Sequence, residues 1–206
     1  MMKKTLVAAA LSAHLTTQLF AGGDIAPVEV HEPALEEVEQ AHGHHEESKF
    51  YVVVAGMMLL GDEIQHGEAL LDGNDKYGYG FGIDVGYRLG NGFALEYDYT
   101  YGKNTVYEIT ADEKIKARST YHTSALDIVY TYEATHKLGI FGKVGYEFEW
   151  EEISELNIDE REDDFVFGAG IEYALNKKYK LLAEYEHSLI EGPHGDAILA
   201  GIMYNF

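Results

Sequence analysis

The sequence predicts an all-β fold, an eight-stranded antiparallel up-and-down transmembrane β-barrel. Three observations carry that prediction. Residues 77–101 alternate strictly between large apolar residues and small or charged ones. Eight strand segments can be marked along the chain, all but the first with such alternation, and the connections between them alternate between short and mostly longer. A side-chain period of two means a strand with unlike faces. Strands of roughly 9–11 residues are long enough to cross a bilayer when tilted. Short turns at one end and long loops at the other are what a membrane barrel shows.

The alternation is clearest in the hairpin that opens this pattern. Tyr77, Tyr79, Phe81, Ile83, Val85, Tyr87 and Leu89 share one face; Gly78, Gly80, Gly82, Asp84, Gly86 and Arg88 share the other. After Gly90-Asn91-Gly92, which reads as a tight turn, Phe93, Leu95, Tyr97, Tyr99 and Tyr101 oppose Ala94, Glu96, Asp98 and Thr100. The faces are inverted relative to a soluble sandwich, where the apolar faces meet in a core. Large apolar residues facing lipid, with glycine and charge inside, fit a membrane barrel. A soluble lipocalin-like barrel, with the aromatics inside around a ligand, is the competing architecture. It would leave glycine, Glu and Asp to coat the outside.

The other strands follow in order. Lys49–Leu59 is continuously apolar, so its facing is ambiguous. Residues 60–76, 102–119 and 151–164 are expected to be polar loops. The fourth strand, about Thr120–Tyr132, sets Leu126, Ile128, Tyr130 and Tyr132 against Thr123, Ala125, Asp127 and Thr131. The fifth, Leu138–Trp150, turns Val144, Tyr146, Phe148 and Trp150 outward and Lys143, Glu147 and Glu149 inward. In the sixth, Phe165–Leu175, Glu172 faces inward; in the seventh, Tyr179–His187, Lys180, Glu184 and Glu186 do. The last strand, Asp196–Phe206, alternates Ile198, Ala200, Ile202, Tyr204 and Phe206 with Leu199, Gly201, Met203 and Asn205. For the opening hairpin, pairing Leu89 with Phe93 puts Gly86 opposite Glu96 and Asp84 opposite Asp98, with Arg88 diagonal to Glu96. Two like charges facing each other inside a barrel are unfavourable without a cation, and Lys143 or Arg88 is expected to reach them.

Residues 1–21 read as a secretory signal peptide, with Lys3 and Lys4, the apolar run Thr5–Leu11, and a cleavage site after Ala21. Residues 22–48 form an acidic leader expected on the periplasmic side without stable structure. Its His42, His44 and His45 are borderline ligands for Zn²⁺, Ni²⁺ or Cu²⁺. Short His tracts in acidic tails usually lack fixed geometry, so no metal site and no cofactor is expected. The barrel itself is assigned to residues 49–206. The formal charge of −21 excludes nucleic acid as a partner. The absence of cysteine removes disulfides and thiolate metal sites. Tyr77, Tyr101, Tyr132, Trp150, Tyr179 and Tyr204 near strand ends fit interfacial girdles.

The alternation, together with the terminal Gly201-Ile202-Met203-Tyr204-Asn205-Phe206, resembles the small eight-stranded outer-membrane barrels of Gram-negative bacteria, the OmpA/OmpX-like family. The resemblance covers residues 49–206. It implies export to the outer membrane, contact with its lipid and lipopolysaccharide, and a monomeric barrel. It also implies an assembly signal at Ile202, Tyr204 and Phe206 read by the outer-membrane assembly machinery. No peptidoglycan-binding domain is expected after Phe206.

The expected function is a structural or surface-interaction role, with the lumen plugged by charged side chains. An eight-stranded barrel is just wide enough for side chains to fill it. A narrow cation-favouring channel is the alternative, because nine inward carboxylates face Arg88, Lys143 and Lys180. Catalysis is not expected. Glu186-His187-Ser188 resembles the His and Ser of lipid A deacylase barrels, but adjacent strand residues point to opposite faces, and a nucleophile needs its base within hydrogen-bond reach.

Overall fold

The computed structural model describes residues 49–206. The expected signal peptide and acidic leader, with His42, His44 and His45, lie outside the described residues. The strands are β1 (Phe50–Leu59), β2 (Glu63–His66), β3 (Ala69–Asp72), β4 (Gly78–Gly90), β5 (Phe93–Ile109), β6 (Lys114–Glu133), β7 (Leu138–Ile153), β8 (Ile158–Ala174), β9 (Tyr179–Ser188) and β10 (Ala197–Asn205). Eight of them close a ring in the order β1-β4-β5-β6-β7-β8-β9-β10, each antiparallel to its neighbours. The ring is sealed where β1 meets β10, from Tyr51 opposite Asn205 to Leu59 opposite Ala197. Closure leaves no strand edge in the wall, which is what allows a sheet to sit in lipid.

The faces are as the alternation requires. Leu126, 57% exposed, and Asp127, fully buried, are neighbours on β6. Across β4, β5 and β7 the exposed residues include Phe81, Ile83, Val85, Leu95, Tyr97, Val144 and Phe148. The outer surface is therefore an apolar and aromatic belt, and the polar residues turn in.

β1, ambiguous in sequence, turns Tyr51, Val53, Ala55, Met57 and Leu59 inward. Its partner β4 explains the glycine-rich face. Tyr51 stands opposite Gly86, Ala55 opposite Gly82, Met57 opposite Gly80 and Leu59 opposite Gly78. A Cβ at Gly86 would overlap the Tyr51 ring, and one at Gly78 would lie 2.6 Å from Leu59 Cδ1. Large and small residues thus interdigitate across the pair.

The three expected long loops are corrected. Residues 60–76 contain the β2–β3 hairpin, whose β3 continues along β5 beyond β4, with Leu70 opposite Ile109 and Asp72 opposite Tyr107. Residues 102–119 are mostly strand: β5 and β6 stay paired to Ile109–Lys114. Residues 151–164 likewise continue β7 and β8, turning through Ser154–Leu156 and Asn157, whose φ is +54°. The physical reason is a second apolar cluster above the belt. Leu71, Val106, Ala117, Ile153 and Ile158 are buried together, with Ile64 and Leu156 against them.

The register also differs at one point. Gly90, not Leu89, closes on Phe93, and a bulge follows Arg88. Gly90, Asn91 and Gly92 all have positive φ, a backbone that glycine and asparagine adopt at low cost. Beyond the bulge the expected pairs return: Gly86 with Glu96, and Asp84 with Asp98.

Candidate functional site: the charged lumen

Alternation on six neighbouring strands, β4 to β9, delivers polar side chains to one enclosed column. Lys143 of β7 sits at its centre with its side chain 2% exposed. Its ammonium lies 2.7 Å from Asp98 Oδ2 on β5, 2.9 Å from Glu184 Oε1 and 2.8 Å from Glu186 Oε2, both on β9. A lysine has three donors, and here they tie opposite walls together across the lumen. Asp84 stands beside Asp98 on the paired strand, and Asp127 beside Glu96. The Tyr51 hydroxyl donates to Glu96 Oε1 at 2.5 Å.

Towards the end that carries the short turns, Arg88 donates to Asn205 Oδ1 at 2.5 Å and stacks 4.5 Å from the Tyr51 ring centroid. Asn205 lies on β10, two strands away across β1. Lys180 and Glu172 form a separate pair at 2.6 Å. Phe141, Val129, Leu182 and Met203 belong to the apolar packing inside the barrel.

At the opposite end the connection after β9 folds into the mouth. His194 is buried, its Nε2 3.1 Å from Glu149 Oε1 and its Nδ1 2.8 Å from the Gly195 carbonyl. Both ring nitrogens face oxygens that can accept, an arrangement that favours the doubly protonated imidazolium. Burial opposes that charge, but the Glu149 carboxylate, with Glu151 behind it, outweighs burial, and the His194 pKa is pushed up to about 10. The ring lies 4.8 Å from Tyr121, and the neighbouring Pro193 carbonyl accepts from Asn104 Nδ2 at 2.8 Å. Glu151 accepts from Ser119 at 2.5 Å, and Glu147 accepts from Ser188. Below this cap a cavity of about 20 Å³ is bordered by Met57, Thr100, Tyr121, Glu147, Glu186 and His194. That is room for about one water.

All twelve lumen residues expected from sequence project inward. Asp84, Glu96, Asp98, Asp127, Lys143, Glu184 and Glu186 form one layer, Glu147 and Glu149 belong to the capped mouth, and Arg88 and the Glu172–Lys180 pair sit apart from the Lys143 contacts. Sequence reasoning missed Tyr51, Ser119, Glu151 and His194. Glu151 continues the inward series Glu147, Glu149 at the same spacing, and would have been found had the strand been extended. Tyr51 shares its parity with Val53 and Met57. No sequence signal placed His194.

His187 and Ser188 do point to opposite faces. His187 Nδ1 lies 2.6 Å from Asp196 Oδ1 on the exposed side, while Ser188 donates inward to Glu147. The pair does not assemble a nucleophile with its base. On the outer face, Ile202 and Phe206 are exposed, and Tyr204 packs between Tyr179 and Phe206 at 5.2 and 5.1 Å.

The model of the outer membrane protein beta-barrel domain family matches residues 38–206. The chain belongs to that family. It is a Gram-negative outer-membrane protein. Among solved structures, this outer-membrane barrel is similar to OprG of Pseudomonas aeruginosa, at 10% identity over 78% of this chain and 97% of that one, with a TM-score of 0.62. Neisserial surface protein A is 18% identical over 77% of this chain and 98% of its own, with a TM-score of 0.51. Ail of Yersinia pestis is 18% identical over 78% and 98%, with a TM-score of 0.50. At these identities the likeness is one of fold. No curated protein sequence matches the chain.

Proposed function

We propose that this outer-membrane barrel is a closed structural and surface-interaction protein rather than a pore. The observation that supports this reading most directly is the Lys143 crossbrace to Asp98, Glu184 and Glu186, which occupies the middle of the lumen. The buried His194 cap over a cavity of about 20 Å³ adds a second obstruction. An ion crossing the barrel would have to break charge-assisted bonds in a desolvated space. Its surroundings are lipid and lipopolysaccharide, which it meets as a monomer; Ile202, Tyr204 and Phe206 serve the assembly machinery.

The surface role rests on the hairpins that rise above the belt with their own apolar cluster. The β7–β8 hairpin tip carries Glu152, Glu155, Asp159 and Glu160. Ail has been solved with the heparin analogue sucrose octasulfate, a polyanion. The acidic tip here repels such a ligand and favours a cationic surface or one bridged by divalent cations. The alternative, a narrow cation-favouring channel, draws on the carboxylate excess in the lumen. Planar-bilayer recording of the refolded protein separates the two. A silent bilayer is expected, and stable cation-selective steps would overturn the closed-lumen reading.

A further inference from the structure

The Lys143 crossbrace leaves part of the acidic layer unaccounted for. Asp98 gives Oδ2 to Lys143, and its Oδ1 has no hydrogen-bond donor. Asp84, Glu96 and Asp98 are all buried, and each presents one carboxylate oxygen such that the three lie within 4.8 Å of one another. Asp127 is fully buried, both of its oxygens lack a donor, and it stands opposite Glu96 on the paired strand and diagonal to Asp98. Carboxylates in direct contact cannot all be anions without something positive between them. Lys143 already spends its contacts on Asp98, Glu184 and Glu186.

We propose that Asp84, Glu96, Asp98 and Asp127 form a buried site for a hard divalent cation, of the size and oxygen preference of Ca²⁺, at mid-height in the lumen. The donor set is carboxylate oxygen alone, with no imidazole or sulfur, which suits Ca²⁺ and not the softer transition metals. Four carboxylates, with Asp98 giving only its Oδ1 and the others mono- or bidentate, supply four to seven oxygens, which with water reaches the six to eight that Ca²⁺ takes, whereas Mg²⁺ demands a near-ideal octahedron. The donors come from three adjacent strands, β4, β5 and β6. The site therefore exists only once those strands are paired, and the ion enters during folding. The cation would also relieve the facing Asp84–Asp98 pair. The proposal is independent of conductance: a barrel that conducts and also binds calcium would fail the closed-lumen reading and keep the site.

The test is refolding of the full chain from urea into detergent micelles with CaCl₂ or with EDTA, followed by metal analysis of the washed protein and a urea titration. One tightly held calcium per barrel and a higher unfolding midpoint in calcium are expected. Asp98→Asn/Asp127→Asn removes two charges from a repelling cluster, so it folds; it is expected to bind calcium at least about tenfold more weakly and to lose the calcium-dependent midpoint. Glu155→Gln/Asp159→Asn/Glu160→Gln, at the exposed hairpin tip, keeps both. A wild-type midpoint indifferent to calcium and EDTA would overturn the site and leave shared protons as the explanation. So would calcium dependence that survives in the lumen variant but vanishes in the hairpin variant.

Discussion

Replacing Lys143 by Met keeps the length of the side chain and removes its charge. Three carboxylate oxygens lie 2.7–2.9 Å from the ammonium in the native barrel. At an effective dielectric of about 20, each contact corresponds to about 6 kcal/mol of attraction. Most of that is offset by desolvation and by repulsion among Asp98, Glu184 and Glu186 themselves. What remains is the penalty for stranding buried charges, which for a pair that loses one partner is about 3–5 kcal/mol. With an m-value of about 2 kcal/mol per molar urea, the midpoint falls by roughly 1.5–2.5 M. The assay is urea titration of the micelle-refolded protein, followed by the heat-modifiable gel shift of folded barrels. Lys143→Met/Glu184→Gln/Glu186→Gln removes two of the stranded charges and should recover most of the loss. A Lys143→Met barrel within about 1 kcal/mol of the parent would refute the reasoning, because it would mean the lumen is wet enough to solvate those carboxylates.

Two further outcomes are expected. Gly86→Val puts methyls into the Tyr51 ring and pushes its hydroxyl off Glu96; overpacking of this kind costs about 1–3 kcal/mol, and Tyr51→Ala/Gly86→Val should be less destabilised than the two single changes summed. His194 has a folded pKa of about 10 against an unfolded value of about 6.5. The stability it contributes is complete below pH 6.5 and lost as pH rises through 10. Hydrogen exchange in residues 189–196 should quicken over that window, and His194→Gln should make the exchange fast and free of the His194 step.

The wall was legible in the sequence because each membrane strand repeats one physical contrast, lipid outside and a narrow polar column inside, at every second residue. Asp84, Asp127 and Glu184 could be assigned to the lumen by parity alone. The extensions above the membrane were not legible, for the opposite reason. There the outside is water, so Glu152, Asp159 and Arg161 surround Ile153 and Ile158 and the segment reads as a loop. Only tertiary packing reveals that Val106, Ala117 and Leu71 complete a small core with them. The bond from Arg88 to Asn205 was not legible, because it depends on the barrel's closure, which brings β10 within range of β4. His194 depends on the path of a connection that no periodicity constrains.

Strand length is unevenly shared around the ring. β6 runs for 20 residues and β5 and β8 for 17, while β9, β1 and β10 have 10, 10 and 9. One side of the wall is tall and self-supporting, with its own apolar cluster at the top. The other is low, and includes the seam where the first and last wall strands meet. The barrel is thus built like a hoop riveted through its thinnest section. β10 is the shortest of the wall strands, and Ile202 on it and Phe206 just beyond it are exposed. The seam carries a shorter run of paired residues than β5 and β6 do, so it has fewer interstrand bonds with which to resist opening.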